Sequence, residues 1–204
     1  MPQPAPDLVE VAPTFFIWQN FDLAIKADLF STALAIRGTT FIVDPIPLHL
    51  SQLSQLQHHG RVAGVIVTNT NHRRAAVAYS EDFFAPIFAH PDTFAQPKPP
   101  RFIQVCAGTK IGDQLEVLEI DGATTGELAI YKAGDGGSLI IGDALINFEP
   151  YGFAFLPRKY CTNEKRMRES LRKLLDYDIE RMFFAHGTPI LSGASARLRQ
   201  LFDL

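Results

Sequence analysis

The stretch that decides the fold is "RVAGVIVTNTNHRR", Arg61 to Arg74. From Val62 to Val67 it is apolar throughout, with no polar alternation, as a strand is when both faces of its sheet are covered. A polar cluster follows at once: two asparagines, one histidine and two arginines. The carboxyl end of a buried strand is where α/β folds place ligand sites. The first question is whether this cluster can be one.

Working outward, "PTFFIWQNF" (13–21) and "STALAIRGTTFIVD" (31–44) read as strands, the second as a hairpin turning near Gly38 and Thr39. Ser51 suits the N-cap of a short helix in which Leu50, Leu53 and Leu56 recur at i, i+3, i+6, with His58 and His59 in its last turn. After the central strand, "HRRAAVAYSEDF" can form a helix and "APIFAH" a strand. The strands "DQLEVLEI", "GELAIYKAG" and "SLIIGD" come next. The glycine-rich "GDGGS" (134–138) leads into a strand, so it reads as a hairpin turn and not a phosphate cradle at a helix N-terminus. An aromatic segment, "NFEPYGFAFLPRKY", precedes an amphipathic helix with Met167, Leu171, Leu174 and Leu175 on one stripe. "ERMFFAH" is the last strand, and a helix with Ser192 or Ser195 at its cap ends the chain. This order predicts an α/β fold of four layers, an αβ/βα sandwich of two mixed sheets flanked by helices. Residues 1–12 are expected to be a flexible Pro-rich N-terminus and 13–204 one domain.

Composition narrows the function classes. The 204 residues are 47% hydrophobic and 20% charged with a net charge of −3, which argues against a nucleic-acid groove. No apolar run approaches the roughly 20 residues that span a membrane, and the first residues lack the pattern of a signal peptide. Cys106 and Cys161 have no metal-site or disulfide spacing, so a reduced, cytoplasmic setting is expected. There is no GxSxG elbow to support nucleophilic catalysis. What remains is a set of polar residues at the ends of apolar strands: Asp44 after "FIV", Asn69 and Asn71 after "GVIVT", Asp143 after "LIIG", and His186 after "MFFA".

In these segments the chain resembles the metallo-β-lactamase fold superfamily, from about Phe15 to Leu204. The family's metal motif, Thr-His-x-His-x-Asp-His after a buried strand, falls on Thr68-Asn69-Thr70-Asn71-His72-Arg73-Arg74. "DGATTGELAIY" is similar to the segment of the next metal-binding histidine, here Ala123. "LIIGDAL" matches the segment of the aspartate that bridges two metals, here Asp143. "FFAHGTPIL" matches the closing segment, here with His186, and "FIVDPIP" the early strand ending in a structural aspartate, Asp44.

The resemblance implies the four-layer fold. The residues imply that most of the dinuclear site is lost, since a zinc centre needs about three His, Cys or carboxylate ligands and an arginine cannot ligate. Arg74, or Arg73, is expected to fill the vacated metal position and contact Asp143. His72 stands at a spacer of the motif and is expected to point away, as a cap or surface residue. The leading expectation is a degenerate, non-hydrolytic member that binds a small-molecule ligand or a partner, with no cofactor and no assigned catalytic residue. Its candidate pocket comprises Asn69, Asn71, His72, Arg73, Arg74, Asp143 and His186, with Phe148, Tyr151 and Phe153 as one wall or as core. The alternative is a hydrolase of the same superfamily with a reduced or relocated site for one divalent metal (Zn, Mn or Fe) on His72, Asp143 and His186. It would cleave an ester, thioester, phosphodiester or lactam. The sequence does not fix the oligomeric state.

Overall fold

The computed structural model describes residues 3–203. In chain order its elements are β1 (Val9–Ala12), β2 (Phe15–Asp22), β3 (Ala27–Ile36), β4 (Thr39–Val43), α1 (Leu50–Gln57), β5 (Arg61–Val67), a 3-10 turn (Thr70–His72), α2 (Ala76–Phe83), β6 (Ile87–Ala89) and β7 (Phe102–Gln104). The second half holds β8 (Lys110–Ile111), β9 (Leu115–Glu119), β10 (Leu128–Lys132), β11 (Ser138–Ile141), β12 (Leu145–Phe148), β13 (Gly152–Phe155), α3 (Glu164–Arg172), β14 (Arg181–Phe184) and α4 (Ala194–Asp203). The first seven strands form one sheet in sequence order, antiparallel from β1 to β4 and parallel from β4 to β7. The second sheet runs β14-β11-β10-β9-β8, with β14 parallel to β11 and the rest antiparallel. Strands β12 and β13 pair as a separate hairpin.

The period of two along each strand builds the layers. Phe15, Leu34, Val43 and Ile66 of the first sheet meet Val117, Leu128, Ile130, Ile140 and Phe183 of the second, forming the core between the sheets. Their neighbours Phe16, Ala33, Ile42, Val65 and Val67 turn outward onto Leu56 of α1 and Ala76 and Tyr79 of α2. On the far side, Ala129, Leu139, Ile141, Met182 and Phe184 pack against Met167 and Leu171 of α3 and Leu198 of α4. This is the four-layer sandwich read from the sequence. Among the described residues no helix is long and apolar enough to cross a membrane.

Local details follow the residues. The β3–β4 turn is the two-residue pair Arg37–Gly38, both at positive φ (48° and 76°), the backbone a tight hairpin with right-handed strand twist requires. The "GDGG" segment is the turn between β10 and β11. Two expectations need correction. The Pro-rich segment expected to be flexible is tied down where it is described, with Ala5 fully buried beside Leu48 and Val9–Ala12 paired with β2, while residues 1–2 lie outside the described residues. A buried alanine and an edge-strand ladder hold it. The N-cap of α1 is His49, whose Nδ1 lies 2.9 Å from the Ser51 hydroxyl, so Ser51 sits inside the helix. Phe153 lies tilted against Phe184 in the outer core, whereas Tyr151 is exposed at the β12–β13 tip against Phe148.

The Phe183 ring, stacked on Phe15 across the inter-sheet core at 4.6 Å, is almost fully buried. Phe183→Ala is therefore expected to lower unfolding free energy by about 3–5 kcal/mol, measured by denaturant titration.

Candidate metal centre

The site lies along one edge where both sheets end. Asp44 follows β4, Thr68 and Asn69 follow β5, Asp143 follows β11 and His186 follows β14, so four chain segments converge from the two sheets. Each arrives because its strand is buried to its last residue and the first polar side chain lands at the rim.

Asp44 is the anchor of the first sheet. Its Oδ1 accepts the Thr68 amide (2.8 Å) and its Oδ2 accepts the Thr68 hydroxyl (2.6 Å). The same Oδ2 lies 3.0 Å from His72 Nδ1. On its own, burial would raise the Asp44 carboxyl. The His72 imidazole beside it, with Arg74 and Thr68, outweighs this and holds it below the usual carboxylate range.

His72 reverses the sequence expectation. It is 1% exposed and points into the site, with Nε2 3.1 Å from Asp143 Oδ1. The reason is local. Asn69 caps the 3-10 turn, its side chain accepting the Asn71 amide (2.9 Å) and its carbonyl the His72 amide (3.2 Å). The turn so closed brings Asn69 and His72 to face Asp143. Burial would lower the His72 pKa, but Asp143 and Asp44 on either side push it up to about 9.

The two oxygens of Asp143 have different partners. Oδ2 accepts from Asn69 Nδ2 (3.2 Å), Asn71 Nδ2 (3.1 Å) and Thr124 Oγ1 (2.8 Å). Oδ1 faces His72 Nε2 and, at 3.4 Å, His186 Nε2. Burial opposes its charge, but the His72 and His186 imidazoles and the Thr124 hydroxyl hold it well below the carboxylate range. His186 Nδ1 lies 3.2 Å from the Asp28 carbonyl, which can only accept, so the Nδ1 carries its proton and Nε2 offers a lone pair. Burial, then the His72 charge, lowers His186 to about 4.

The arginine expectation is also corrected. Arg74 does enter the site edge, but its guanidinium donates to the carbonyls of Phe30 (2.6 Å), Asp44 (3.0 Å) and Ala185 (3.4 Å). Arg73 is exposed and donates to the Thr70 carbonyl. Among the described residues neither arginine ion-pairs with Asp143, which is satisfied by amides, a hydroxyl and imidazoles. The structure thus gathers Asn69, Asn71, His72, Asp143 and His186, keeps Arg74 on their backbone side, and leaves Arg73 outside.

Sequence reading missed Thr124 and Glu127. Glu127 is buried, accepting the Ala144 amide at Oε1 (3.0 Å) and Asn69 Nδ2 at Oε2 (2.6 Å). Its signal was a carboxylate wedged between Gly126 and the wholly apolar "LAI" of β10. Burial, with the Asp143 charge behind it, pushes Glu127 up to about 8. Gly142 makes this packing possible: a Cβ there would stand 2.5 Å from Thr68 Oγ1 and 2.8 Å from Glu127 Oε1.

The donor set fits one metal ion. His72 Nε2, His186 Nε2 and Asp143 Oδ1 form a triangle with edges of 3.1, 3.3 and 3.4 Å. Bonds of about 2.0 Å to a tetrahedral centre separate ligand atoms by about 3.3 Å. Both imidazoles are oriented by oxygen acceptors at Nδ1, the outer arrangement that metal-bound histidines need. Asp143 Oδ2, by contrast, is already occupied by three donors.

Comparison with known proteins agrees with this architecture. A family model described as metallo-beta-lactamase superfamily matches residues 10–204. Among solved structures, the DIM-1 metallo-beta-lactamase superimposes with a TM-score of 0.74 at 15% identity, covering 97% of this chain and 96% of that one. A metallo-beta-lactamase from Pontibacter korlensis gives 0.71 at 12% identity over 95% and 98%. A metallo-beta-lactamase family protein from Thermus thermophilus gives 0.65 at 17% identity over 94% and 79%. At these identities the likeness is one of fold. No curated protein matches the chain in sequence.

Glu127 supplies a test of the buried network. Between about pH 4.5 and about pH 8 the folded protein keeps a proton on Glu127 that the unfolded chain has released, so its contribution to stability falls as pH rises. The stability of Glu127→Gln relative to the parent should therefore climb across that window, by at most about 1.4 kcal/mol for each tenfold fall in proton concentration, and level off above it. A pH-independent difference, measured by urea unfolding, would mean Glu127 titrates normally.

Proposed function

The chain belongs to the metallo-beta-lactamase superfamily, and from that premise we propose that it is a single-metal member, its dinuclear site reduced to one position held by His72, Asp143 and His186. The observation that supports this reading is the triangle of donor atoms with edges of 3.1–3.4 Å. Three protein ligands leave a coordination position open, as in hydrolytic sites. A divalent cation there, Zn, Mn or Fe, would supply Lewis acidity and a water of lowered pKa. The reaction class that suits it is hydrolysis of an ester, thioester, phosphodiester or lactam.

The chain's own residues divide the remaining work. Asp44 and the Asp28 carbonyl orient the two imidazoles through Nδ1. Asn69, Asn71 and Thr124 hold Asp143 Oδ2, so only Oδ1 is presented to the imidazoles. That occupancy stands where a second metal would need the same carboxylate. Glu127, protonated near neutrality, keeps a third negative charge out of the centre.

A second reading is favoured by a different observation. His72 already lies between two carboxylates, and Asp143 is only 6% exposed, so the site is electrostatically closed without a cation. On that reading the protein is a non-hydrolytic member that binds a small molecule or a partner. Both readings include a cytoplasmic setting, in keeping with two free cysteines.

Metal content separates them. Untagged protein purified without chelator and offered zinc, manganese and iron should hold one ion per chain by mass spectrometry. His72→Ala, Asp143→Ala and His186→Ala should each lose it. Substoichiometric metal in the parent protein under all three would favour the non-hydrolytic reading.

A further inference from the structure

We infer that Arg74 is the positioning residue of this centre, a fixed cation that locks the backbone beneath both imidazoles; the inference rests on the single-metal reading. Its guanidinium reaches three carbonyls on three separate segments. Phe30 belongs to β3 of the first sheet, Asp44 follows β4, and Ala185 follows β14 of the second sheet.

Each of these segments holds a donor in place. Asp44 carries the carboxylate that receives His72 Nδ1. Ala185 directly precedes His186, and its carbonyl also accepts the Phe30 amide at 2.9 Å, a bond between the two sheets. Two residues before Phe30, the Asp28 carbonyl receives His186 Nδ1. Arg74 itself stands two residues beyond His72. One side chain therefore ties together the four segments that aim the two imidazoles at Asp143.

The residue type matters. A guanidinium is planar, permanently charged and carries N–H donors on both Nη atoms, so it can bond carbonyls in several directions at once. A lysine ammonium carries the charge but lacks the fork. A second observation points the same way. Arg74 has φ +33°, a backbone conformation that side chains rarely adopt and that persists where surrounding contacts over-determine it. Desolvation opposes its charge and lowers its pKa, and Asp44, Asp143 and Asp22 offset part of that cost.

The test uses Arg74→Met, which keeps volume without charge, and Arg74→Lys, which keeps charge without the fork. Zinc affinity is measured by chelator competition, and the imidazole signals of His72 and His186 are followed by NMR in metal-free protein. Arg74→Met should weaken zinc binding by about 10–100-fold, the range found when groups orienting metal ligands are removed. Arg74→Lys should fall between it and the parent. Both imidazole signals should shift or broaden in metal-free Arg74→Met while unfolding remains cooperative. Parent-like affinity and unshifted signals in both variants would overturn the inference. Loss of cooperative unfolding in both would overturn it too, since Arg74 would then hold the fold and not the donors. If the parent protein binds no zinc, the single-metal reading fails, and the metal-free imidazole signals still decide the role of Arg74.

Discussion

The constraint on which the site depends is the buried carboxylate of Asp143, placed where the two sheets end together. A charge taken out of water must be paired and hydrogen-bonded or it neutralises itself. Here five polar atoms from the β5 exit, the segment before β10 and the β14 exit surround it. Its position leaves little slack, because the preceding Gly142 lies so close to Thr68 and Glu127 that no Cβ could be added without displacing them. The seam of the sandwich and the carboxylate therefore specify each other: move one strand exit and the charge loses partners.

From that carboxylate the charges alternate outward. Asp143 meets His72, His72 meets Asp44, and the backbone carbonyl of Asp44 receives Arg74. Glu127 would break the alternation if ionised, and its raised pKa keeps it neutral through most of the physiological range. A fully satisfied polar network in low dielectric is rigid, whereas a partly satisfied one is costly. This explains why the outer members, Thr68, Asp44 and Arg74, are as closely fitted as the groups facing the centre.

The fold was legible because its signals are long-range averages: apolar runs such as "GVIV" and "LIIG", glycine-bearing turns, and one amphipathic helix. Asp44, Asp143 and His186 stood out because each is the first polar residue beyond a buried strand, and Asn69, Asn71 and His72 because they follow closely on another. Directions were not legible. Whether His72 faces in or out depends on a three-residue 3-10 turn that begins when the Asn69 side chain captures the Asn71 amide. That single cap changes the local period and brings residues 69 and 72 onto one face. Arg74, or Arg73, was expected to contact Asp143, because side-chain charge suggests a carboxylate and only the topology brings three carbonyls within reach of Arg74. Glu127 was overlooked because a glutamate at the start of a strand usually faces water.

The exchange of histidine for asparagine at positions 69 and 71 has a consequence that ligand counting alone does not give. An imidazole offers a lone pair, so two of them beside a carboxylate invite a cation. An amide offers N–H groups, so two of them beside the same carboxylate satisfy it directly. In this chain the amides take only Oδ2. The other oxygen keeps two imidazoles, one supplied by a residue at what had been a spacer of the motif. Asp143 is thereby divided, one oxygen saturated by neutral donors and the other facing the two imidazoles. The single-metal proposal turns on that asymmetry, because a carboxylate saturated at both oxygens would have none left for a cation.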